Sequence, residues 1–471
     1  MGLRKDFMWG GATASYQCEG AWNEGGRIES EWDRYLHENN LESGDTASDF
    51  YHHYKEDIQM MKDGGQNAFR FSLAWPRIMD ENGNTNSEGI NFYHNVIREC
   101  RRNGIEPFVT LYHWDLPEYL AEEGGWTNRQ TCDAFERYAE ICFQEFGKEI
   151  QWWTTFNEPK WTIVSGYLVG NYPPAENNPQ HAAEAGYHMM LAHAMAVRKF
   201  REMNLDGFIG IVHSYSPVDG VDDTDETRKA MRYADNFMNN WVLDVAAKGE
   251  FTQDFLEALT KKGIDLSFMK EADLQLISQQ HVDFLGLNYY ARALIKPYTS
   301  GETKLTVNNS GSKAKGTTAT LIKNWFEQVR DPESKYTEWD TEIYPQGLYS
   351  GLLRADERYH LPIFITENGV GMYEDVADGE VDDQYRISFM NDHINALMNA
   401  VDEGVDVRGY FAWSSFDLYS WKNGCEKRYG LVAIDFQSPD LKRTPKKSYY
   451  WFKKIAEGNG AGIERRSYSR K

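Results

Sequence analysis

Long hydrophobic runs are missing from this chain. No window approaches 18 consecutive apolar residues, so no membrane-spanning helix is expected. The start, Met1-Gly2-Leu3-Arg4-Lys5-Asp6, runs straight into a strand pattern, and no secretory leader is expected. Cysteine is scarce. The five present (Cys18, Cys100, Cys132, Cys142, Cys425) are scattered, odd in number and without C-x-x-C spacing, which excludes a disulfide framework and fits reduced thiols in a cytoplasmic protein. Positive charge is in deficit. Fifty Lys and Arg against 72 Asp and Glu give a net charge of −22, which argues against nucleic acid or a membrane surface as partner. An anionic substrate would need a local basic pocket set against that field. No Pro/Ser-rich linker divides the 471 residues, and no G-x-G-x-x-G follows the first strand pattern. No strand pattern ends in a lysine, which disfavours a Schiff-base aldolase or an isomerase of that type.

What is there alternates. Apolar strand patterns recur at 7–14, 67–75, 106–114, 151–159, 207–215, 282–290, 362–368 and 407–415. Between them, 52–64, 90–104, 129–146, 180–203, 230–248, 346–357 and 384–403 carry apolar residues at helical spacing. Eight strand–helix units without a linker predict an α/β fold, a single (β/α)8 barrel over 1–471 with long loops after the strands. Residues 297–341 break the pattern. They are rich in Gly, Ser, Lys and Thr and read as a partly mobile loop excursion after strand six, with Trp325 and Trp339 placed to line the leaving-group side. The end, 464–471, reads as a disordered tail.

Chemistry in such a barrel sits where strands end. Strand four ends at Asn157-Glu158 and strand seven at Glu367, 367 − 158 = 209 residues later. Two carboxylates facing one mouth are the minimum equipment for cleaving a glycosidic bond. The other strand ends offer Gln17, Arg70, His113, Asn288, Tyr290 and Trp413. Gln, His and Asn fork onto vicinal hydroxyls, and aromatic rings take the apolar face of a pyranose. Arg70 and Tyr290 are the groups expected to keep one glutamate ionised while the other stays protonated, which assigns their roles. No cofactor is called for, and no metal-ligand cluster stands out. His52-His53 reads as a helix-face pair.

Several of these stretches carry a resemblance. Thr155-Phe156-Asn157-Glu158-Pro159, Ile365-Thr366-Glu367-Asn368-Gly369, Phe69-Arg70-Phe71-Ser72, Tyr112-His113-Trp114, Asn288-Tyr289-Tyr290 and Phe7-x-Trp9-Gly10-Gly11-Ala12-Thr13-Ala14 stand in the order of glycoside hydrolase family 1. The chain resembles that family over essentially its whole length. The resemblance implies a retaining β-glycosidase with Glu158 as acid/base and Glu367 as nucleophile, their carboxyls about 5–5.5 Å apart. It also implies sugar contacts from Gln17, His113, Asn157, Asn288, Trp413 and Trp421.

The stretch after Trp413 narrows the substrate. Family members that act on neutral sugars carry a glutamate at the position of Ser420. Here an anion that would repel a 6-phosphate is missing, and Lys427 and Tyr429 follow on an extended loop. A hydroxyl, an ammonium and a phenol converging on one point make a small phosphate site. Ser420, Lys427 and Tyr429 resemble the phosphate ligands of the family's 6-phospho-β-galactosidases and 6-phospho-β-glucosidases. The implied substrate is a phosphorylated disaccharide or aryl glycoside, with a homodimer left open. Trp421 resembles the galacto type, while outside the motifs the chain looks unlike phospho-galactosidases, so activity on both epimers is expected. The alternatives are a β-glucosidase or β-galactosidase on unphosphorylated sugars and a non-catalytic sugar-binding protein.

Overall fold

A computed structural model describes residues 2–374 and 381–469. Eight parallel strands close a barrel: β1 (Met8–Ala12), β2 (Ala68–Ser72), β3 (Glu106–Tyr112), β4 (Trp152–Asn157), β5 (Phe208–Ser214), β6 (Phe284–Asn288), β7 (Ile363–Asn368) and β8 (Val407–Trp413). Each pairs in parallel with its sequence neighbours, and β8 closes onto β1 with Met8 opposite Gly409 and Ala12 opposite Trp413. All eight lie within the predicted ranges.

The barrel interior explains its composition. Phe108, Phe284, Phe364 and Phe411 meet at its axis, with ring centroids 5.2–5.5 Å apart. Trp152 of β4 packs against Phe284 and Phe364, and the four rings fit because β1 and β5 offer glycine there. A Cβ on Gly10 would lie 2.6 Å from Phe411, and one on Gly210 2.6 Å from Phe284. The plug fills one end of the barrel and leaves polar side chains for the other, where the strands finish.

The helical patterns form as read, with one difference. The pattern at 230–248 is two helices, Asp225–Asp235 and Trp241–Lys248, joined by a wide turn at Asn236–Asn240. The 297–341 excursion is also more ordered than its composition suggests. Lys304–Thr306, Ala319–Ile322 and Phe326–Val329 join Ala293–Lys296 and Val218–Gly220 in a five-stranded sheet beside the barrel mouth. Residues 464–469, expected as a disordered tail, are docked. Asn395 and Asn399 both donate to the Arg466 carbonyl at 2.9 Å, and Tyr468 stacks on Tyr349. Residues 470–471 of that expectation lie outside the described residues. The five cysteines are unpaired thiols, and four of them are buried.

Candidate active site

Both glutamates are delivered by irregular strand ends. The register of β4 against β5 shifts between Thr154 and Asn157, and that of β7 against β6 shifts between Ile365 and Glu367. Such bulges re-aim side chains beside active sites. Glu158 then takes φ 49°, in the left-handed region, as do Trp114 (75°) and Trp421 (49°) in the same cleft. Backbone conformations that cost non-glycine residues energy cluster where geometry is imposed for function.

The two carboxyls are tied into one network. Arg70 donates through Nη1 to Glu367 Oε1 at 2.6 Å and through Nη2 to Asn157 Oδ1 at 2.7 Å. Tyr290 donates its hydroxyl to Glu367 Oε2 at 2.7 Å. The Asn288 amide nitrogen donates to Glu158 Oε1 at 2.8 Å and to Asn157 Oδ1 at 3.1 Å. Asn288 also stands near enough to Glu367 to favour its charged form. The two carboxyls lie near enough for the charge of Glu367 to act on Glu158. Glu158, Glu367 and Arg70 are almost wholly buried.

Electrostatics separate the two acids. Burial, then the charge of Glu367, pushes the Glu158 carboxyl up to about 8, so it is protonated at neutral pH. Burial also raises Glu367, but Arg70 and Tyr290 pull it back by charge and hydrogen bonds. The Tyr290 phenol is held well above its ordinary range by burial and by Glu367, and so remains a donor.

The remaining candidates gather around this pair. A cleft of about 330 Å³ is lined by Glu158, Asn288, Tyr290, Ser420, Trp421, Lys427 and Tyr429, among others. Glu367, Gln17, His113 and Trp413 are not among its lining residues. His113 Nε2 meets the Asn157 amide at 3.1 Å, and its ring lies 6.0 Å from Trp413. Burial, then the charge of Arg70, holds His113 well below its ordinary pKa, so it is neutral. His113 Nδ1 and Gln17 Oε1 are buried polar atoms without a partner among the described residues. Such groups are what a sugar hydroxyl would satisfy. Trp421 is packed edge-on into the cleft wall, stacked on Tyr16 at 5.5 Å and 4.4 Å from Trp32.

Ser420, Lys427 and Tyr429 come together. Ser420 lies beside the Tyr429 phenol, and Lys427 Nζ stands 5.3 Å from the Tyr429 ring and 4.8 Å from that of Trp339. Lys427 has no anionic partner among the described residues. Burial alone pushes its pKa down to about 7. Its loop is held firmly. Arg428 exchanges two backbone hydrogen bonds with Met372, and buried Asp417 accepts from Gly430 N at 2.8 Å and from Lys446 Nζ at 2.8 Å.

Some residues differ from their sequence reading. Asn288, read as a sugar ligand, has its amide engaged on protein groups. Trp325 is not in the cleft. It stacks on Tyr233 in a separate apolar cavity of about 300 Å³ behind the excursion sheet. Trp339 does line the cleft. Three residues went unread. Thr366 donates to Asn288, Lys160 lines the cleft two residues after Glu158, and Tyr172 lines it opposite. Lys160 donates to the Ser214 carbonyl at 2.7 Å, and burial pushes its pKa down to about 8. Their only sequence signal is adjacency to the two glutamates, and for Tyr172 there is none.

Comparison with known proteins agrees with this geometry. The sequence profile of Glycosyl hydrolase family 1 matches residues 1–461. A 6-phospho-beta-galactosidase of Clostridium acetobutylicum is 42% identical over 462 residues, 96% of each chain. One from Staphylococcus aureus is 39% identical over 97% of this chain and 98% of its own. That likeness is closer than the sequence reading expected outside the motifs. Among solved structures, the β-glucosidase of Exiguobacterium antarcticum superposes with a TM-score of 0.89 at 33% identity, covering 98% of this chain and all of its own. The Thermotoga maritima β-glucosidase gives 0.86 at 34%, over 98% and 99%.

Proposed function

The chain belongs to glycosyl hydrolase family 1, and from that premise we propose that it is a retaining 6-phospho-β-glycosidase. The observation that carries the phospho specificity is Lys427, a desolvated ammonium without an anionic partner among the described residues, beside Ser420 and Tyr429 in the cleft that holds Glu158. A buried unpaired cation costs stability unless a ligand supplies the anion. The names of the 42% and 39% identical relatives favour the same reading.

In the proposed cycle the 6-phosphate docks on Ser420, Lys427 and Tyr429, and Gln17, His113, Asn157 and Trp413 hold the ring. Glu367 attacks the anomeric carbon while Glu158 gives its proton to the leaving oxygen. Forming the ester removes the Glu367 charge, which is what chiefly opposes Glu158 ionisation after burial. Glu158 therefore becomes the stronger acid and takes a proton from water, which opens the ester and releases the β-configured sugar 6-phosphate.

A panel of nitrophenyl β-galactoside and β-glucoside, each with and without a 6-phosphate, tests the assignment. Turnover is expected to be far faster for the phosphorylated pair, with the galacto compound accepted. Faster turnover of the unphosphorylated pair would make the enzyme an ordinary β-glycosidase, as the solved structural neighbours are titled.

The pH profile follows from the two shifts. Glu158 must be protonated to act as acid, so its contribution to kcat/KM is expected to hold below pH 8 and to fall about tenfold per unit above it. Glu367 must be ionised, so activity falls on the acid side as pH drops through its raised pKa. Glu158→Gln, assayed with an activated leaving group, is expected to lose the alkaline limb and keep the acid one.

A further inference from the structure

The register shift that delivers Glu367 also turns its neighbour Thr366 inward. Thr366 is fully buried and its hydroxyl lies 2.7 Å from Asn288 Oδ1. Gly286 on β6 makes room for it, since a Cβ there would come within 2.9 Å of Thr366 Cγ2 and 3.1 Å of its Oγ1.

The surrounding donors fix how each amide is turned. Arg70 can only donate, so the Asn157 atom it meets is the oxygen. The Asn288 atom 3.1 Å from that oxygen must be nitrogen, and the same nitrogen donates to Glu158 Oε1. Asn288 Oδ1 is left facing Thr366, whose hydroxyl is its donor. Glu158 Oε1 thus accepts a hydrogen bond whether the carboxyl is charged or neutral. When the group is neutral its proton must sit on Oε2, the oxygen without a protein donor among the described residues.

We propose that Thr366 is a positioning residue for acid–base catalysis: by donating to Asn288 Oδ1 it holds that amide so that Glu158 carries its proton on Oε2. The inference rests on Glu158 being the acid/base. Without the hydroxyl, Asn288 Oδ1 would be a buried acceptor lacking a donor. Rotation of the amide is barred, because it would set Oδ1 against Asn157 Oδ1, which Arg70 fixes as an oxygen. The amide would instead shift from its place and weaken its donation to Glu158 Oε1. Nothing would then confine the carboxyl proton to Oε2, where the leaving oxygen needs it. The other charged or titratable groups around Glu158 are Glu367, Lys160, Arg70 and the phenols of Tyr172, Tyr290 and Tyr429. All of them remain in the variant, so their influence cancels in the comparison.

The test measures kcat/KM against pH for phenyl and 2,4-dinitrophenyl glycosides, phosphorylated or not according to what the wild type hydrolyses. The phenyl leaving group needs a proton and the dinitrophenyl group does not. T366V is expected to lose about 30-fold or more on the phenyl compound, in the range for lost acid assistance, and less than about threefold on the other. Its alkaline limb should move to higher pH, because the Asn288 donor that favours the charged form of Glu158 is weakened. T366S should restore both to near wild type. Equal losses on the two substrates, an unmoved limb, or T366S as impaired as T366V would overturn the proposal and leave Thr366 a packing residue. If thermal melting shows T366V unfolded, G286A presses on the same hydroxyl from the far side: selective loss supports the proposal and uniform loss overturns it. Failure of the underlying reading is distinct, since Glu158→Gln would then leave wild-type phenyl turnover unchanged.

Discussion

Glu367→Ala is expected to abolish turnover of natural substrates, with kcat down by about 10⁴-fold or more, because the variant loses the nucleophile that splits one hard displacement into two. Azide added to this variant should restore cleavage of activated glycosides and give the α-glycosyl azide. The truncated side chain leaves space beside Arg70 Nη1 and the Tyr290 hydroxyl, which otherwise grip the carboxylate at 2.6 and 2.7 Å. A small anion there attacks the β-glycoside once, and one displacement inverts the centre. Glu158→Ala should also be rescued by azide, but with the β-glycosyl azide as product. In that variant Glu367 still attacks first, azide opens the ester second, and two displacements retain configuration. Product stereochemistry, read by NMR, therefore assigns the two roles independently of rate. The same azide anomer from both variants would overturn the assignment. Glu367→Gln offers a complementary readout. Removing the charge should lower the pKa of Glu158, since that charge is the second cause of its elevation after burial.

The sequence carried the barrel and the paired glutamates in plain view for a physical reason. Parallel strands are buried on both faces, so each reads as an apolar run that stops abruptly, and an acid at such a stop has few places to point but the barrel mouth. Arg70 and Tyr290 were legible by the same rule. Thr366 was not. In a regular strand, neighbours alternate sides, which places Thr366 away from the cleft when Glu367 faces it. Only the register shift against β6 brings both toward Asn288, and a bulge leaves no mark in the one-letter pattern. The excursion sheet was hidden because its strands run three or four residues, too short for a period of two to emerge from a Gly/Lys/Thr-rich background. Trp325 and Trp339 sit in that one polar segment yet enter different cavities, and only its folding decides which. The docked end at 464–469 depends on Asn395, Asn399 and Tyr349, contacts that local composition does not report.

Lys427→Met is expected to separate the two halves of the functional reading. Truncating one partner of a buried charge pair costs about 2–5 kcal/mol, so kcat/KM on a 6-phospho-glycoside should fall by about 10²–10³-fold. On the unphosphorylated glycoside it should change by less than about twofold, because the neutral compound makes no ion pair to lose. Stability should move the other way. Lys427 sits desolvated without an anionic partner among the described residues, so removing the charge removes a burden, and the melting temperature should hold or rise. A residue whose loss improves the fold but cripples one substrate class is held for binding. The pH dependence gives the same argument a sign. Burial pushes the Lys427 pKa down to about 7, and its affinity for phosphate is present below that value and lost as pH climbs above it. A sugar phosphate becomes a dianion above about pH 6. KM for the phosphorylated substrate is therefore expected to pass through a minimum between about 6 and 7, and that minimum should vanish in the methionine variant. Ser420→Glu completes the test from the opposite side. A carboxylate beside the Tyr429 hydroxyl would repel the phosphate and offer an acceptor to the hydroxyls of a neutral sugar, so preference should shift toward the unphosphorylated glycoside. Were Lys427→Met to lose activity on both classes equally, or Ser420→Glu to leave the preference unchanged, the loop would be a structural element and the phosphate would have to bind elsewhere.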